Sequence, residues 1–326
     1  MLPIPNNSHY MPPTFVLIGI PGLNDGTVLS TSIVFCFLYI LVILGNGAIL
    51  YVIKVERTLH TPMFFFLSML AINDIVFSTS TVPKTLGIFW LNDGLIDATS
   101  CLIQMFFVHG LSVVESGILA SMAYDRLMAI CYPLRYHSVL TASLLKKIAF
   151  AILIRATVLN MPFPLLVVQL QYCGNNIVEH SYCDHMAVVN VACSDKRIDS
   201  LYGLVLSVSV CGFDLSFIGL SYSMILRSIF KMPTKDARQK AIGTCGSHIC
   251  VIISAYLPAL FTFVAYRFGG TTIPPNVHIF VANIYNLVPA FLNPIIYGVR
   301  TKQIQQHVLH ILTYNVKKLF GHLAKE

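Results

Sequence analysis

Charged side chains are scarce in this sequence. Asp, Glu, Lys and Arg make up only 11% of the 326 residues, hydrophobic residues make up 56%, and the mean hydropathy is +0.74. A soluble domain carries roughly 25% charged residues. The composition therefore excludes an ordinary soluble domain and indicates a protein that crosses the membrane several times.

The sequence contains long apolar runs. A bilayer core of roughly 30 Å requires about 20 residues per helix, and continuous runs of this kind do not fit a barrel of alternating strands. We therefore predict an all-α bundle of seven transmembrane helices in residues 29–299, after an N-terminal segment 1–28 and before a C-terminal segment 300–326. The expected spans are 29–53, 62–87, 99–131, 145–168, 200–230, 240–266 and 276–299.

The N-terminal segment lacks a basic stretch followed by an apolar core, so no cleaved signal peptide is predicted. Most of the 21 Lys and Arg residues lie in or beside the first, third and fifth loops and the C-terminal segment, which the positive-inside rule places in the cytoplasm. The N-terminus is then extracellular, and the Asn6-Asn7-Ser8 sequon makes Asn6 a candidate glycosylation site. This topology, with attraction to anionic inner-leaflet lipid, accounts for the net charge of +7 without a nucleic-acid partner.

The nine cysteines divide by predicted location. Cys101, Cys173, Cys183 and Cys193 lie outside, where disulfides persist, and four cysteines allow three connectivities. We favour Cys101–Cys183, which would tie the long fourth loop to the third span, and Cys173–Cys193, which would close a ring within that loop. The other five are interpreted as small buried hydrophobic residues.

Two segments have spacings that imitate a metal site. The first runs from His180 to His185, but its cysteine is unavailable as a ligand if it forms a disulfide. The second comprises Cys245, His248 and Cys250, and a helix would turn Cys250 away from the other two. We therefore expect no metal at either segment.

Motifs in four spans resemble those of rhodopsin-like G-protein-coupled receptors. They are Gly45-Asn46, Leu70-Ala71-Ile72-Asn73-Asp74, Asp125-Arg126 and Asn293-Pro294-Ile295-Ile296-Tyr297. The odorant-receptor branch is indicated by PMFFFL from Pro62, MAYDRLMAIC from Met122, Ser221-Tyr222 and KAIGTCGSH from Lys240. Class I, the fish-like receptors, and family 52 within it are indicated by Tyr256-Leu257-Pro258, Tyr266-Arg267-Phe268-Gly269 and NPIIYGVRTKQI from Asn293.

This resemblance implies a multi-pass plasma-membrane receptor that binds a small odorant, activates a stimulatory olfactory-type G protein and raises cAMP. It also implies a switch at the inner end, in which activation frees Arg126 from Asp125 to contact the G protein. The alternative is that Arg126 only snorkels to the headgroups. The residues assigned to the switch are Asp125, Arg126, Tyr222, His248, Asn293, Tyr297 and Pro294, which weakens its helix locally.

Polar groups at membrane depth normally face the bundle and find one another. Four such groups lie on four spans: Asn46, Asp74, Glu115 and Asn293. Their oxygen atoms suit a sodium ion, but a hydrogen-bonded packing cluster is an equal alternative; no other cofactor is expected. In either case we expect Asp74 and Glu115 to serve the switch rather than to contact the odorant. Asp214 and Arg155 are further intramembrane charges, and Arg155 receives no role.

The outer ends of the spans are expected to hold the ligand. A guanidinium can bind a carboxylate through two hydrogen bonds, and the class I resemblance implies that Arg267 is such an anchor. A salt bridge from Arg267 to an outer-loop acid or a lipid phosphate is the alternative. His109 and His185 would add hydrogen-bond donors, with a purely structural role for His109 as an equal alternative. Phe263 would face the ligand tail. Gly203, Leu206, Ser207 and Asn286 complete the predicted wall.

These residues favour a fatty-acid-like odorant in a mostly apolar cavity, with an aldehyde, ketone or alcohol as the less polar alternative. A transporter would show related halves, a channel would show pore-lining rings, and a retinal-binding receptor would need a lysine in residues 276–299; none is found in the sequence. No nucleophile motif indicates an enzyme. A receptor for a peptide or a non-odorant metabolite is the nearest competitor.

The C-terminal segment is basic and partly amphipathic. Ile304, Val308, Leu312 and Val316 recur every four residues, which predicts a short helix on the inner leaflet. A disordered tail is the alternative, because so short a helix is marginal unless it binds something.

Overall fold

The seven predicted spans are confirmed. The computed structural model describes residues 11–268, 273–300 and 305, and seven helical segments in it are long and apolar enough to cross a membrane. The first three spans are α1 (Asp25–Val55), α2 (Pro62–Leu91) and α3 (Ala98–Cys131). After the four-residue helix α4 (Tyr136–Val139), the fourth span consists of α5 (Ala142–Asn160) and α6 (Pro162–Val167). The short helix α7 (His185–Val191) precedes the last three spans, α8 (Arg197–Phe230), α9 (Lys235–Phe268) and α10 (Pro275–Arg300).

Short polar side chains fix where several helices begin. The Asn24 side chain accepts a hydrogen bond from the Thr27 amide at 2.9 Å at the start of α1, and Asp97 accepts the Thr99 amide at 2.9 Å at the start of α3. Such caps satisfy amides that have no partner within the helix. The fourth span was expected to be one helix but breaks at Met161, because Pro162 has no amide hydrogen to continue the helix.

The third span is the central helix of the bundle. It packs against the second, fourth, fifth and sixth spans, and its side chains Ile118, Leu119 and Met122 are buried in the main hydrophobic core. Large apolar side chains on outward faces, such as Phe213 and Leu220, are instead exposed. This arrangement is expected where the surrounding solvent is lipid rather than water.

Three short strands form a sheet over the outer end of the bundle. Strand β1 (Thr14–Leu17) lies between β2 (Leu95–Asp97), which it pairs with antiparallel, and β3 (Ile177–Val178), which it pairs with in parallel. We use the term outer lid for this sheet together with residues 169–196. The lid carries two disulfides, Cys101–Cys183 and Cys173–Cys193, which are the two pairings favoured from the sequence.

Two sequence predictions lie outside the described residues. These are glycosylation at Asn6 and the amphipathic C-terminal helix marked by Ile304, Val308, Leu312 and Val316.

Candidate ligand cavity and inner switch

A cavity of about 470 Å³ lies in the outer half of the bundle, below the outer lid. This volume falls within the range of roughly 300–1,000 Å³ found for small-molecule sites. Seven of the eight residues predicted to contact the ligand line it: His109, His185, Gly203, Leu206, Ser207, Phe263 and Arg267.

Asn286 is the exception and corrects the prediction. Its side chain is buried, but the seventh span lines the cavity with Ala282 and Tyr285 instead. Successive residues of an α-helix are turned by about 100°, since 3.6 residues complete a turn. Asn286 therefore faces a different side of the helix from its neighbour Tyr285.

Arg267 reaches the cavity from the outer end of the sixth span. Its Nη1 donates hydrogen bonds to both the backbone carbonyl and the hydroxyl of Ser200 on the fifth span. The guanidinium fits there because Gly203 has no side chain: a Cβ at that position would lie 2.8 Å from Nη2. Among the described residues, Arg267 forms no ion pair with a carboxylate. The outer-loop salt bridge weighed from the sequence is therefore not formed within the described part of the chain.

His109 both lines the cavity and holds the outer lid. Its Nε2 accepts the backbone N–H of His185 at 3.2 Å and lies 3.6 Å from the Asp184 carboxylate. The Asp184 carboxylate in turn accepts the amides of Met186 at 3.0 Å and Ala187 at 3.2 Å, and so caps α7. The two interpretations of His109, structural and ligand-facing, are thus compatible.

Burial controls the protonation of the outer lid. It lowers the pKa of His180 to about 4, and, together with the charge of His109, lowers the pKa of His185 to about 3. Burial alone would raise the pKa of Asp184, but the surrounding histidines and the Ala187 amide outweigh it and lower that pKa. Near neutral pH the lid therefore holds neutral His180 and His185 around an ionised Asp184.

Four spans meet in a polar network at the inner end of the cavity. Arg155 binds Asp214 through two hydrogen bonds of 2.8 Å, and Asp214 also accepts the Ser116 hydroxyl. The hydroxyl oxygens of Ser116 and Tyr256 lie 2.6 Å apart, and both residues line the cavity. The sequence showed both charges without pairing them. The available signal was their opposite sign at membrane depth, where charges seek partners.

The predicted cluster of four polar residues is not formed as one set. Asn46 donates to the carbonyls of Val42 and Ala290, each at 3.0 Å, whereas Asn293 donates to Asp74 at 2.8 Å. Glu115, which was not expected to face the odorant, lines the ligand cavity. Asp74 interacts with both Asn293 and Glu115, whereas Asn46 is separate because it finds backbone partners of its own. A sodium ion near Asp74 stays a prediction.

The inner end of the third span brings the acid and arginine of the predicted switch together. Arg126 Nε lies 3.7 Å from Asp125 Oδ2, and the Arg126 side chain is only 13% exposed. A side chain so enclosed does not extend freely to the headgroups, which weakens the snorkelling alternative. The Tyr136 hydroxyl donates to Asp125 Oδ1 at 2.7 Å. Sequence reasoning missed this contact because Tyr136 lies beyond the third span, at the start of α4.

The remaining switch residues lie on the fifth, sixth and seventh spans. The Tyr222 hydroxyl forms a 2.8 Å hydrogen bond with His248 Nδ1, and both groups are near enough to Arg126 to interact with its charge. Tyr297 is buried. Pro294 lies inside α10 and packs closely against the first span, where a Cβ on Gly45 would be 3.0 Å from Pro294 Cβ.

Comparisons with known proteins place the chain among related sequences. A family model described as "Olfactory receptor" matches residues 35–315. Human Olfactory receptor 52N4 is 46% identical over 308 residues, covering 94% of this chain and 96% of that protein. Human Olfactory receptor 52N5 is 48% identical over 302 residues, covering 92% and 93%, and human Olfactory receptor 52B2 is 48% identical over 305 residues, covering 94% of each.

Proposed function

Because the chain belongs to the olfactory receptor family, we propose that it detects a short carboxylic acid, which Arg267 binds, and signals through a stimulatory G protein that raises cAMP. Family membership makes the chain a multi-pass plasma-membrane receptor with an odorant ligand and a heterotrimeric G-protein partner, and not an enzyme. Its relatives belong to family 52. The acid class of the ligand and the coupling to cAMP are our proposals.

The position of Arg267 is the observation that carries the acid proposal. It is the only Lys or Arg among the described residues that line the cavity, and it is held in place by Ser200 rather than neutralised by an acid. Asp184 also lines the cavity, but its carboxylate already accepts two backbone amides beside His109. An incoming carboxylate would therefore meet an arginine with capacity for a further charge-assisted hydrogen bond.

The inner surface supports the proposed coupling. Arg126 lies beside Asp125 at the end of the third span, and Leu134 in the following loop is 99% exposed. The exposed Leu134 offers a protein partner an apolar contact, and Arg126 at the end of the third span offers a charge. The basic inner loops also suit contact with anionic membrane lipid.

The test compares cAMP production in cells that express the parent, Arg267→Ala, or the control Arg197→Ala. The control removes an exposed outer arginine that forms an ion pair with Asp195. Straight-chain acids of several lengths are set against alcohols of equal length. We expect Arg267→Ala to weaken the acid response at least about 10-fold, the scale of a lost hydrogen bond between charged groups. The control should respond as the parent does.

The competing ligand class predicts a different pattern. The cavity is lined mainly by apolar side chains, so an aldehyde, ketone or alcohol is the second candidate. A response led by alcohols and unchanged in Arg267→Ala, at equal surface expression, would refute the carboxylate anchor and leave the receptor function intact.

A further inference from the structure

Asn160 is a polar residue of the cavity wall that the proposed function does not use. It ends α5 in the fourth span, its side chain is buried away from solvent, and it lines the ligand cavity. Its Oδ1 is buried and accepts no hydrogen bond from any described residue. An amide oxygen that is removed from water without gaining a donor is costly. The side chain therefore suits a ligand that brings a donor.

The amide group of Asn160 is held in one orientation. Its Nδ2 donates to the backbone carbonyl of Ala156, one turn earlier, at 2.7 Å. Turning the amide over would place Oδ1 against that carbonyl, where two acceptors would face each other. Two of the next four residues, Pro162 and Pro164, have no N–H that could donate to the oxygen. Oδ1 is thus the free acceptor of this side chain within the described part of the chain.

Asn160 and the proposed carboxylate anchor lie at similar levels of the cavity. The backbone carbonyl of Leu159, which precedes Asn160, accepts a 2.7 Å hydrogen bond from the Tyr202 hydroxyl on the fifth span. The next residue on that span is Gly203, which the Arg267 guanidinium approaches closely. A ligand carboxylate at Arg267 would therefore place its first carbons, rather than its far end, near Asn160.

The other hydrogen-bonding groups of the wall are engaged or have another role. Several lining hydroxyls donate to a carbonyl of their own helix; they are Ser112, Ser207 and Thr262. Two other lining residues carry a buried polar atom without a hydrogen bond, Glu115 and His185. Glu115 interacts with Asp74, and His185 is part of the outer lid. Asn160 is therefore the acceptor in the wall that still needs a role.

We infer that Asn160 is a specificity residue, whose Oδ1 accepts a hydrogen bond from a hydroxyl group close to the ligand carboxylate. The inference rests on the proposed function, because it assigns the carboxylate to Arg267. A hydroxyl fits this oxygen better than an ammonium, which would lose its hydration at a higher cost. The ligand class is then an α- or β-hydroxy carboxylic acid, with its apolar tail along Leu206 and Val210.

The experiment compares hydroxy acids with the unsubstituted acid of the same length, by the concentration for half-maximal cAMP at measured surface expression. The hydroxyl is moved from the α and β positions to the far end of the chain. In the parent we expect the α- or β-hydroxy acid to be about 10-fold more potent than the unsubstituted acid. The ω-hydroxy acid should gain nothing, and neither should an acid with fluorine at the favoured carbon, because fluorine has no hydrogen to donate.

Asn160→Leu, which keeps a side chain of similar size and removes the oxygen, should abolish the difference in potency between the hydroxy acid and the unsubstituted acid. Because the comparison is a ratio within one variant, a general change in response cancels. The matched control is Thr157→Val, which changes an exposed residue of the same helix whose hydroxyl donates to the Leu153 carbonyl. This variant should keep the full advantage of the hydroxyl group.

Two results would overturn the inference. One is an advantage that Asn160→Leu retains or that the fluoro acid shares, which would assign the substituent to another group such as His185. The other is the absence of any advantage of the α- and β-hydroxy acids in the parent. The parent and the fluoro acid alone decide the question if Asn160→Leu does not reach the cell surface.

Arg267→Ala separates this inference from the carboxylate anchor. If the anchor is wrong, this variant will leave the potency of the unsubstituted acid unchanged. In that case diols are compared with mono-alcohols of the same length, and an advantage of the diol that Asn160→Leu removes supports the subsite without the anchor. If the anchor is correct and the subsite is not, all acids will lose potency in Arg267→Ala and a hydroxyl will not improve them in the parent.

Discussion

Gly203 shows how a residue without a side chain determines the chemistry of the cavity. The Arg267 guanidinium occupies the space that a Cβ at Gly203 would need, 2.8 Å from Nη2, and the same Cβ would lie 3.5 Å from the His185 ring. Real Cβ atoms essentially never approach a neighbour within 3.0 Å. An added Cβ at position 203 would therefore displace the guanidinium, which is the far end of a flexible side chain, from its place in the cavity.

Gly203→Ala should weaken the response to acids about 10-fold by displacing the guanidinium from Ser200, while the response to alcohols changes little. The measurement is the concentration of ligand for half-maximal cAMP at equal surface expression. Gly219→Ala is the control, because it lies on the same helix and an added Cβ meets nothing within 4 Å. An acid response that survives Gly203→Ala at full potency would mean that the position of Arg267 is not set by this contact.

The outer lid is the element in which burial and titration are most closely linked. His180 and His185 are buried in it, and their pKa values are lowered to about 4 and about 3, chiefly by that burial. The charged groups facing them include Asp184, which favours protonation, and His109 and His278, which oppose it. In an opened lid both histidines would titrate near their ordinary pKa of 6.5.

Lowering the pH from 7.5 to about 5 should therefore destabilise the lid. In this range the opened lid binds protons that the closed lid excludes, so the stability present above pH 6.5 is lost as pH falls toward the lowered pKa values. The check is the thermal unfolding of the purified receptor at several pH values. His180→Gln should flatten the dependence, whereas His137→Gln, a change in an exposed inner-loop histidine, should not; equal slopes in all three proteins would contradict this account.

At the scale of the whole molecule, the sequence predicts what composition and periodicity control. Seven apolar runs predict seven spans because the bilayer demands that length of each helix. Contacts between helices depend on how each helix is rotated about its own axis. A run of apolar residues does not specify that rotation. That is why Asn286 was assigned to the cavity wall, why Glu115 was not assigned to it, and why the partner of Arg155 was not identified.

The pair formed by Arg155 and Asp214 makes a prediction about the bundle as a whole. It joins the fourth span to the fifth, and Arg155 Nη2 also donates to the Val113 carbonyl of the third at 3.2 Å. The guanidinium passes Gly117, where an added Cβ would lie 3.1 Å from Nη2. The interaction between these spans is therefore built around this charge pair, in which Asp214 is buried and the Arg155 side chain is 27% exposed.

Removing one member of such a pair leaves the other charge buried without its partner, at a typical cost of about 3–5 kcal/mol, whereas replacing both is far less costly. Arg155→Met and Asp214→Asn should each lower the unfolding temperature and the surface expression of the receptor, and the double variant should recover much of both. Asp236→Asn, which changes an exposed acid on the inner side, is the control and should have little effect. If the double variant instead loses the sum of the two single losses, the two side chains act independently and the pair does not hold these spans together.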